Sequence, residues 1–509
     1  MRLERSRNTR RNIIVGEIDK ITGILMPFIV RTMIIHLLGA SYLGLTGLFY
    51  SIIQMLNLSE MGFGMAITYS MYLPIANNDG RMINALLKFY ARVYRIVAMV
   101  MGAAGLVIMF FLPSLIRGDI PDGLNIYLLY LIYLGDACLN CLLFPDKKAL
   151  LAAHQRDDVS GRVHILTQAL MYSAQIVCIG LARNFYLYAF TVPLSTIAYN
   201  LLCAAGSRRL FGQYRKEGEL EGASFREIKR QVAGLMVRKL ASLSRNAFDS
   251  MFISAFLGLQ LTAVYGNYYY VMDAVVMLLA VIKTSMAGGV GNSIAMETVE
   301  KNRRDMGVIN FLFMLVSGWC TVCLVCLYQP FMNLWAGKQM TLQMPFAVVF
   351  AVYFYILKMS DIRTLYAESV GLWWQSRYLS VAEALSNLAL NWLLVRSLGL
   401  MGILLASMIS YFVFNFIGGA VVLYRHYYSF RSLPAYFGSH VRYALITGMI
   451  SCVTFFATER IPVPGFAGLL LRGCVCVLLP GILYWILYRH SEEWKGAEPL
   501  LRRLLARHA

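Results

Sequence analysis

The chain alternates long apolar stretches with short polar ones, and the stretches are too long for strands. Runs of roughly 20 apolar residues have the length a helix needs to cross a bilayer. Six such segments come first, at about 12–37, 43–71, 83–111, 124–144, 159–182 and 186–206. A basic, polar stretch from Ser207 to Gln231 interrupts the pattern. Eight more follow, at about 232–257, 262–287, 306–328, 345–367, 375–395, 399–424, 443–457 and 465–488. The pattern predicts an all-α, polytopic membrane protein of about 14 transmembrane helices. It divides into a lobe over 1–206, a cytoplasmic linker over 207–231, a second six-helix lobe over 232–424, and two further helices with a basic tail over 425–509. Leu38-Gly39 followed by Gly47 is echoed by Leu257-Gly258 followed by Gly266, a register of 219 residues. Six crossings separate the two, so both halves would enter the membrane in the same direction.

Composition agrees with this reading. Of 509 residues, 59% are hydrophobic and 14% charged, against roughly 25% charged in a soluble domain. That balance excludes a disordered chain, a collagen-like repeat and a secreted disulfide scaffold. The net charge of +19 would suggest nucleic acid in a soluble protein. Here the basic residues fall in alternate loops: 28 Lys and Arg on the side of the N-terminal tail, five on the other. The positive-inside rule therefore predicts both termini in the cytoplasm, and no nucleic-acid site. The first apolar segment is long, carries Glu17, Asp19 and Lys20, and lacks a small-residue cleavage site, so no cleavable signal peptide is expected.

Ionisable side chains inside the apolar segments carry the chemistry. A charge at mid-membrane costs roughly 2.5 to 3.5 kcal/mol on insertion scales, so such residues face a partner or a wet cavity. Arg31 lies in the first segment and Arg92 in the third; the seventh holds Arg238, Lys239, Arg245 and Asp249. Glu60, Asp136, Asp273 and Glu383 are lone acids, while Lys358 and Asp361 stand three residues apart, a helical spacing that lets them pair. Each deep charge has two readings, a pairing between helices or a ligand contact. Basic residues of segments one and seven occupy matching places in the two halves. A cleft carrying positive potential from both would suit a phosphate or pyrophosphate, which Arg grips by a planar fork and Lys as a point charge.

The ten cysteines lie almost all in apolar segments, with Cys138 and Cys141, then Cys320, Cys323 and Cys326, at one-face spacings. They read as packing residues; no His or carboxylate cluster accompanies them, and no metal site is expected. Tyr265, Tyr268, Tyr269 and Tyr270, with Trp373 and Trp374, read as an interfacial belt or as sugar-stacking surfaces.

The stretch Arg31 to Ala76, RTMIIHLLGASYLGLTGLFYSIIQMLNLSEMGFGMAITYSMYLPIA, with GGVGNSIAMETVEKN at Gly288 to Asn302, resembles the Wzx-type polysaccharide flippases of the multidrug/oligosaccharidyl-lipid/polysaccharide (MOP) exporter superfamily. The resemblance implies two lobes related by a pseudo-twofold axis along the membrane normal. It also implies alternating access that turns an undecaprenyl-pyrophosphate-linked oligosaccharide from the cytoplasmic to the outer leaflet of a bacterial cytoplasmic membrane, for surface polysaccharide assembly. A central cationic cavity would hold the pyrophosphate, with Arg31 inside the motif matching such a role.

The expectation is a transporter that makes and breaks no bond, not an enzyme. Arg31, Arg92, Arg238, Lys239, Arg245 and Lys358 are the candidate pyrophosphate ligands. Asp249, Asp273, Asp361 and Glu60 are the candidates for coupling to a proton or Na⁺, with no other cofactor. Membrane lipid and a polysaccharide polymerase are the expected partners. Three alternatives stay open: a multidrug or cation antiporter on the same scaffold, a polymerase or ligase of lipid-linked sugars, and a flippase of the peptidoglycan precursor. Short outer loops count against the enzyme, and the surplus of deep bases against a carrier of cations.

Overall fold

A computed structural model describes residues 5–57, 63–117, 120–121, 123–220 and 247–498. Among them there are only helices: α1 (Arg5–Leu37), α2 (Ala40–Leu56), α3 (Phe63–Ala76), α4 (Gly80–Met109), the single turn α5 (Leu112–Leu115), α6 (Ile126–Leu142), α7 (Pro145–Ala153), α8 (Asp157–Val177) and α9 (Phe185–Phe211). Then come α10 (Ala247–Leu257), α11 (Leu259–Met296), α12 (Val299–Trp335), α13 (Met344–Met359), α14 (Asp361–Val370), α15 (Trp373–Leu398), α16 (Leu400–Ser410), α17 (Gly419–His426), α18 (Leu433–Glu459) and α19 (Gly465–Tyr488). Ten spans among the described residues are long and apolar enough to cross a membrane, and α6 with α7 makes an eleventh if that pair, bent by 53°, is one span.

Polar residues set where these helices begin. The side chains of Asn125 and Asn184 each accept two backbone N–H groups of the following turn, opening α6 and α9. Asp79 and Thr298 do the same with one N–H each at α4 and α12. These bonds occupy N–H groups that a helix end leaves without intrahelical partners. Gly39 and Gly258, the two glycines of the internal echo, both adopt positive φ, +114° and +97°, immediately ahead of α2 and α11. A side chain is strained in that conformation, so glycine at both places is a backbone requirement.

Three segments depart from their apolar pattern. The stretch at 43–71 is not one helix: α2 ends at Leu56, Asn57 leaves helical geometry, and α3 begins at Phe63. The stretch at 345–367 is divided at Ser360, whose hydroxyl turns back onto the Ile356 carbonyl. Between α16 and α17 the backbone widens into a π-helix over Tyr411–Gly418. The long apolar segments run through each break, because overall apolar length does not report on backbone phase.

The chain forms two compact units, Met1–Ala263 and Val264–Ala509. In the first, α8 packs on α1 and α9, and α6 on α4 and α9. The short α7 tucks Leu150 and Leu151 into a core with Ile83, Leu86, Leu87 and Phe211. In the second, α12 is the central element, contacted by α13, α18 and α19. The last two helices thus share a core with α12, built from Phe311, Met314, Val322, Tyr443, Ile450 and Tyr484. With lipid as apolar as the core, such packing depends on close fit and hydrogen bonds between helices. Here the Trp319 indole donates to the Cys476 carbonyl at 2.7 Å, and the Thr447 and Tyr484 hydroxyls pair at 2.8 Å.

Candidate functional site

A cluster of ionisable groups lies between α11 and the α13–α14 junction in the second unit. Lys358, near the end of α13, is 4% exposed and donates to Oδ2 of Asp361 at 2.7 Å, as the three-residue spacing predicted. The helix break at Ser360 puts Asp361 in the first turn of α14, where the unpaired N–H groups favour a carboxylate. The other oxygen of Asp361 faces Lys283 of α11, whose Nζ lies 3.5 Å away. Asp273, also on α11, is electrostatically coupled to Lys358. Two ammonium groups therefore share one carboxylate, with a second carboxylate close by. Lys283 escaped the sequence reading because its partner is on another helix.

Next to Lys283 the surface of α11 is made of small side chains. Thr284, Ser285, Ala287, Gly288 and Gly289 are exposed, and a Cβ added at Gly288 or Gly289 would meet nothing. By contrast, α19 exposes Phe466, Leu470, Leu478 and Trp485, side chains suited to lipid. Both threonine and serine hydroxyls here bond back to carbonyls of their own helix.

A second group of charges lies two residues further along α14. Arg363 is 5% exposed and donates through Nη2 to both the backbone carbonyl (2.9 Å) and the side-chain oxygen (2.7 Å) of Asn415, within the π-helix. The Asn415 amide passes on to Glu383 Oε2 at 3.4 Å. The guanidinium fills the space beside Gly419, where a Cβ would collide with it. Below it, His440 and Asn310 pair at 3.0 Å, both buried.

The motif at Gly288 to Asn302 has a structural role in part. Asn302 is fully buried, accepts from the Ser293 hydroxyl at 2.7 Å, and donates to the Ser293 carbonyl and to the Tyr427 hydroxyl. Burial pushes the Tyr427 hydroxyl up, and the Asn302 bond pulls the other way. This latch ties the α11–α12 turn to the segment after α17.

In the first unit, Arg31 is half-buried on α1 and acts electrostatically on buried Tyr188. Tyr188 belongs with Tyr50, Tyr133 and Asp136, and the Tyr50 and Tyr133 rings meet edge to face at 5.2 Å. Arg92 is exposed on α4, and Asp249 is 1% exposed on α10. Asp19 pairs with His164 at 2.6 Å. Arg238, Lys239, Arg245 and Glu60 lie outside the described residues.

The other candidates take packing roles. All ten cysteines are free, and no group of metal ligands occurs among the described residues. Tyr268 is buried, stacks on Tyr328 and Phe350, and bonds Gln329 at 3.0 Å, so it serves the core. Trp374 and Tyr378, both exposed, sandwich the Arg377 guanidinium at 3.6 and 4.1 Å.

No family profile matches the chain. Nor does any curated protein match it in sequence. Solved structures do match in fold. An inward-facing multidrug resistance MATE transporter of the MOP superfamily superposes with a TM-score of 0.66 at 13% identity, covering 84% of this chain and 98% of that one. The lipid II flippase MurJ, in an inward closed conformation, gives 0.64 at 13% identity and covers 94% and 98%. A MOP superfamily transporter from Pyrococcus furiosus, described as having a binding pocket of reversed polarity that suggests a different function, gives 0.51 at 14% identity, covering 82% and 96%. The chain is a polytopic helical membrane protein with the fold of MOP superfamily transporters.

Proposed function

We propose that this chain is a flippase that carries an undecaprenyl-pyrophosphate-linked oligosaccharide across a bacterial cytoplasmic membrane by alternating access, for surface polysaccharide assembly. The observation that carries the reading is the pair of ammonium groups, Lys283 and Lys358, held around Asp361 within two apolar spans. Bases so deep in a transport fold suit an anionic headgroup, and low-dielectric walls strengthen the attraction. The match to a lipid II flippase over 94% of the chain supports a lipid-linked substrate. Arg31, Arg92, Arg238, Lys239, Arg245 and Lys358 are the proposed pyrophosphate ligands. Asp249, Asp273, Asp361 and Glu60 are the proposed sites where a proton or Na⁺ biases the cycle. A polysaccharide polymerase would receive the product in the outer leaflet. The protein performs transport and no covalent step, with both termini in the cytoplasm and its lobes at 1–206 and 232–424.

Deleting the gene should abolish surface glycan and leave its lipid-linked precursor in the inner leaflet. Arg245→Ala should do the same with the protein still inserted; normal glycan output would remove Arg245 from the mechanism. Collapse of the ion gradient should stop flipping if the coupling proposal is right. The likeness to MATE transporters favours one rival, a multidrug antiporter. Drug sensitivity on deletion, with glycan intact, would favour that rival. In the Pyrococcus furiosus transporter a binding pocket of reversed polarity suggests a different function, so polarity is the property to test.

A further inference from the structure

We infer that Asp361 is a built-in stand-in for the substrate's diphosphate, and that Lys283 is the ligand it surrenders when the diphosphate arrives. This rests on the flippase reading above. The two ammonium groups on Asp361 are not held alike. Lys358 is 4% exposed and bonds at 2.7 Å within its own helical stretch, with Asp273 acting on it as well. Lys283 is 20% exposed, comes from a different helix, and stands 3.5 Å off, beyond a good hydrogen bond. It is therefore the ammonium that moves at least cost. Asp361 is itself 16% exposed, so the pair is open to a ligand on that side. Ala287, one turn on and on the same face as Lys283, and Thr284 at its side are small and exposed, which leaves room there for a bulky anion.

The exchange explains why a carboxylate should sit in a site for anions. Without ligand, two bare ammonium groups largely buried within apolar spans would be costly, and Asp361 neutralises them. A diphosphate, with more charge and more acceptor oxygens, outcompetes a single carboxylate for Lys283. After the headgroup has crossed, the return of Lys283 to Asp361 favours release. Lys358, buried and bonded to Asp361 at 2.7 Å, stays in place, keeps Asp361 oriented and lends its charge to the bound diphosphate. Lys283 is thus proposed as a binding residue and Asp361 as a positioning residue that limits affinity so that the cycle can turn over.

The test uses the full chain purified in lipid nanodiscs, with inorganic pyrophosphate as probe and calorimetry as readout. Lys283→Ala should weaken binding about tenfold and Lys283→Arg should hold it within about twofold, whereas Asp361→Asn should tighten it about tenfold by removing the internal competitor. In cells, Asp361→Asn should lower surface glycan despite tighter binding, because release slows. An Asp361→Asn protein that binds as wild type or more weakly overturns the exchange; Asp361→Ser gives the same comparison if the amide impairs folding. If wild type binds pyrophosphate and the variants do not differ from it, the exchange fails and the flippase reading stands. If wild type does not bind pyrophosphate, the flippase reading fails and the exchange with it.

Discussion

Asp361 and Arg363 are two residues apart on α14, yet they anchor charge groups of opposite character. Around Asp361, two lysines on flexible stems share one acceptor, Lys358 buried and close, Lys283 partly exposed and more distant. Around Arg363, a buried planar fork is braced by a carbonyl and an amide, with Glu383 behind. Point charges on flexible stems suit a group that must let go, and a braced fork suits one that must not. A deep charge is therefore not evidence of a binding site until its bracing is known.

The comparison can be broken at four places. Arg363→Ala should be the most damaging, destabilising the fold by about 3 to 5 kcal/mol because it strands a buried polar network. Thermal unfolding followed by size-exclusion chromatography would measure this, and a well-folded variant would show the bracing to be dispensable. Asn415→Leu removes the bridge but spares the backbone acceptor, so a loss of about 1 to 3 kcal/mol is expected in the same assay. For Lys358→Met, Asp361 keeps Lys283, and a loss of roughly 1.5 kcal/mol should be seen. Lys283→Ala should change stability least, by less than about 1 kcal/mol, while surface glycan output falls. A Lys283 variant that unfolds as readily as the Arg363 variant would erase the distinction.

How far the chain could be read depended on whether the deciding interaction was local. Apolar length predicted the helices, because crossing a bilayer demands it of any sequence. The Lys358–Asp361 pair was legible from three-residue spacing alone. Lys283 was not, since its partner is 78 positions away on another helix. Arg363, Asn415 and Glu383 are likewise scattered over three elements, and nothing local links them. Asn302 was quoted for its family resemblance, and its buried bonds give that position a physical reason. The interruption at Ser360 was not legible because the apolar segment spans it from 345 to 367, and the charges beside it, Lys358 and Asp361, read as an ion pair on one continuous helix.

The wide turn over Tyr411–Gly418 has one more consequence. Ahead of it the inward face runs through Ile403, Ser407 and Tyr411; beyond it, through Phe416, Ala420 and Leu423. An ordinary α-period continued from Tyr411 would have brought Asn415 and Gly418 inward and turned Phe416 away. The turn behaves as a one-residue insertion absorbed without a loop, a way such widened turns arise at functional places in helices. A deletion within 411–418 would restore regular winding and close the widened turn that holds Asn415, while Phe416, Ala420 and Leu423 would keep their inward face. The acceptor for Arg363 would be carried off with it, so the length of this stretch is under as much constraint as its composition.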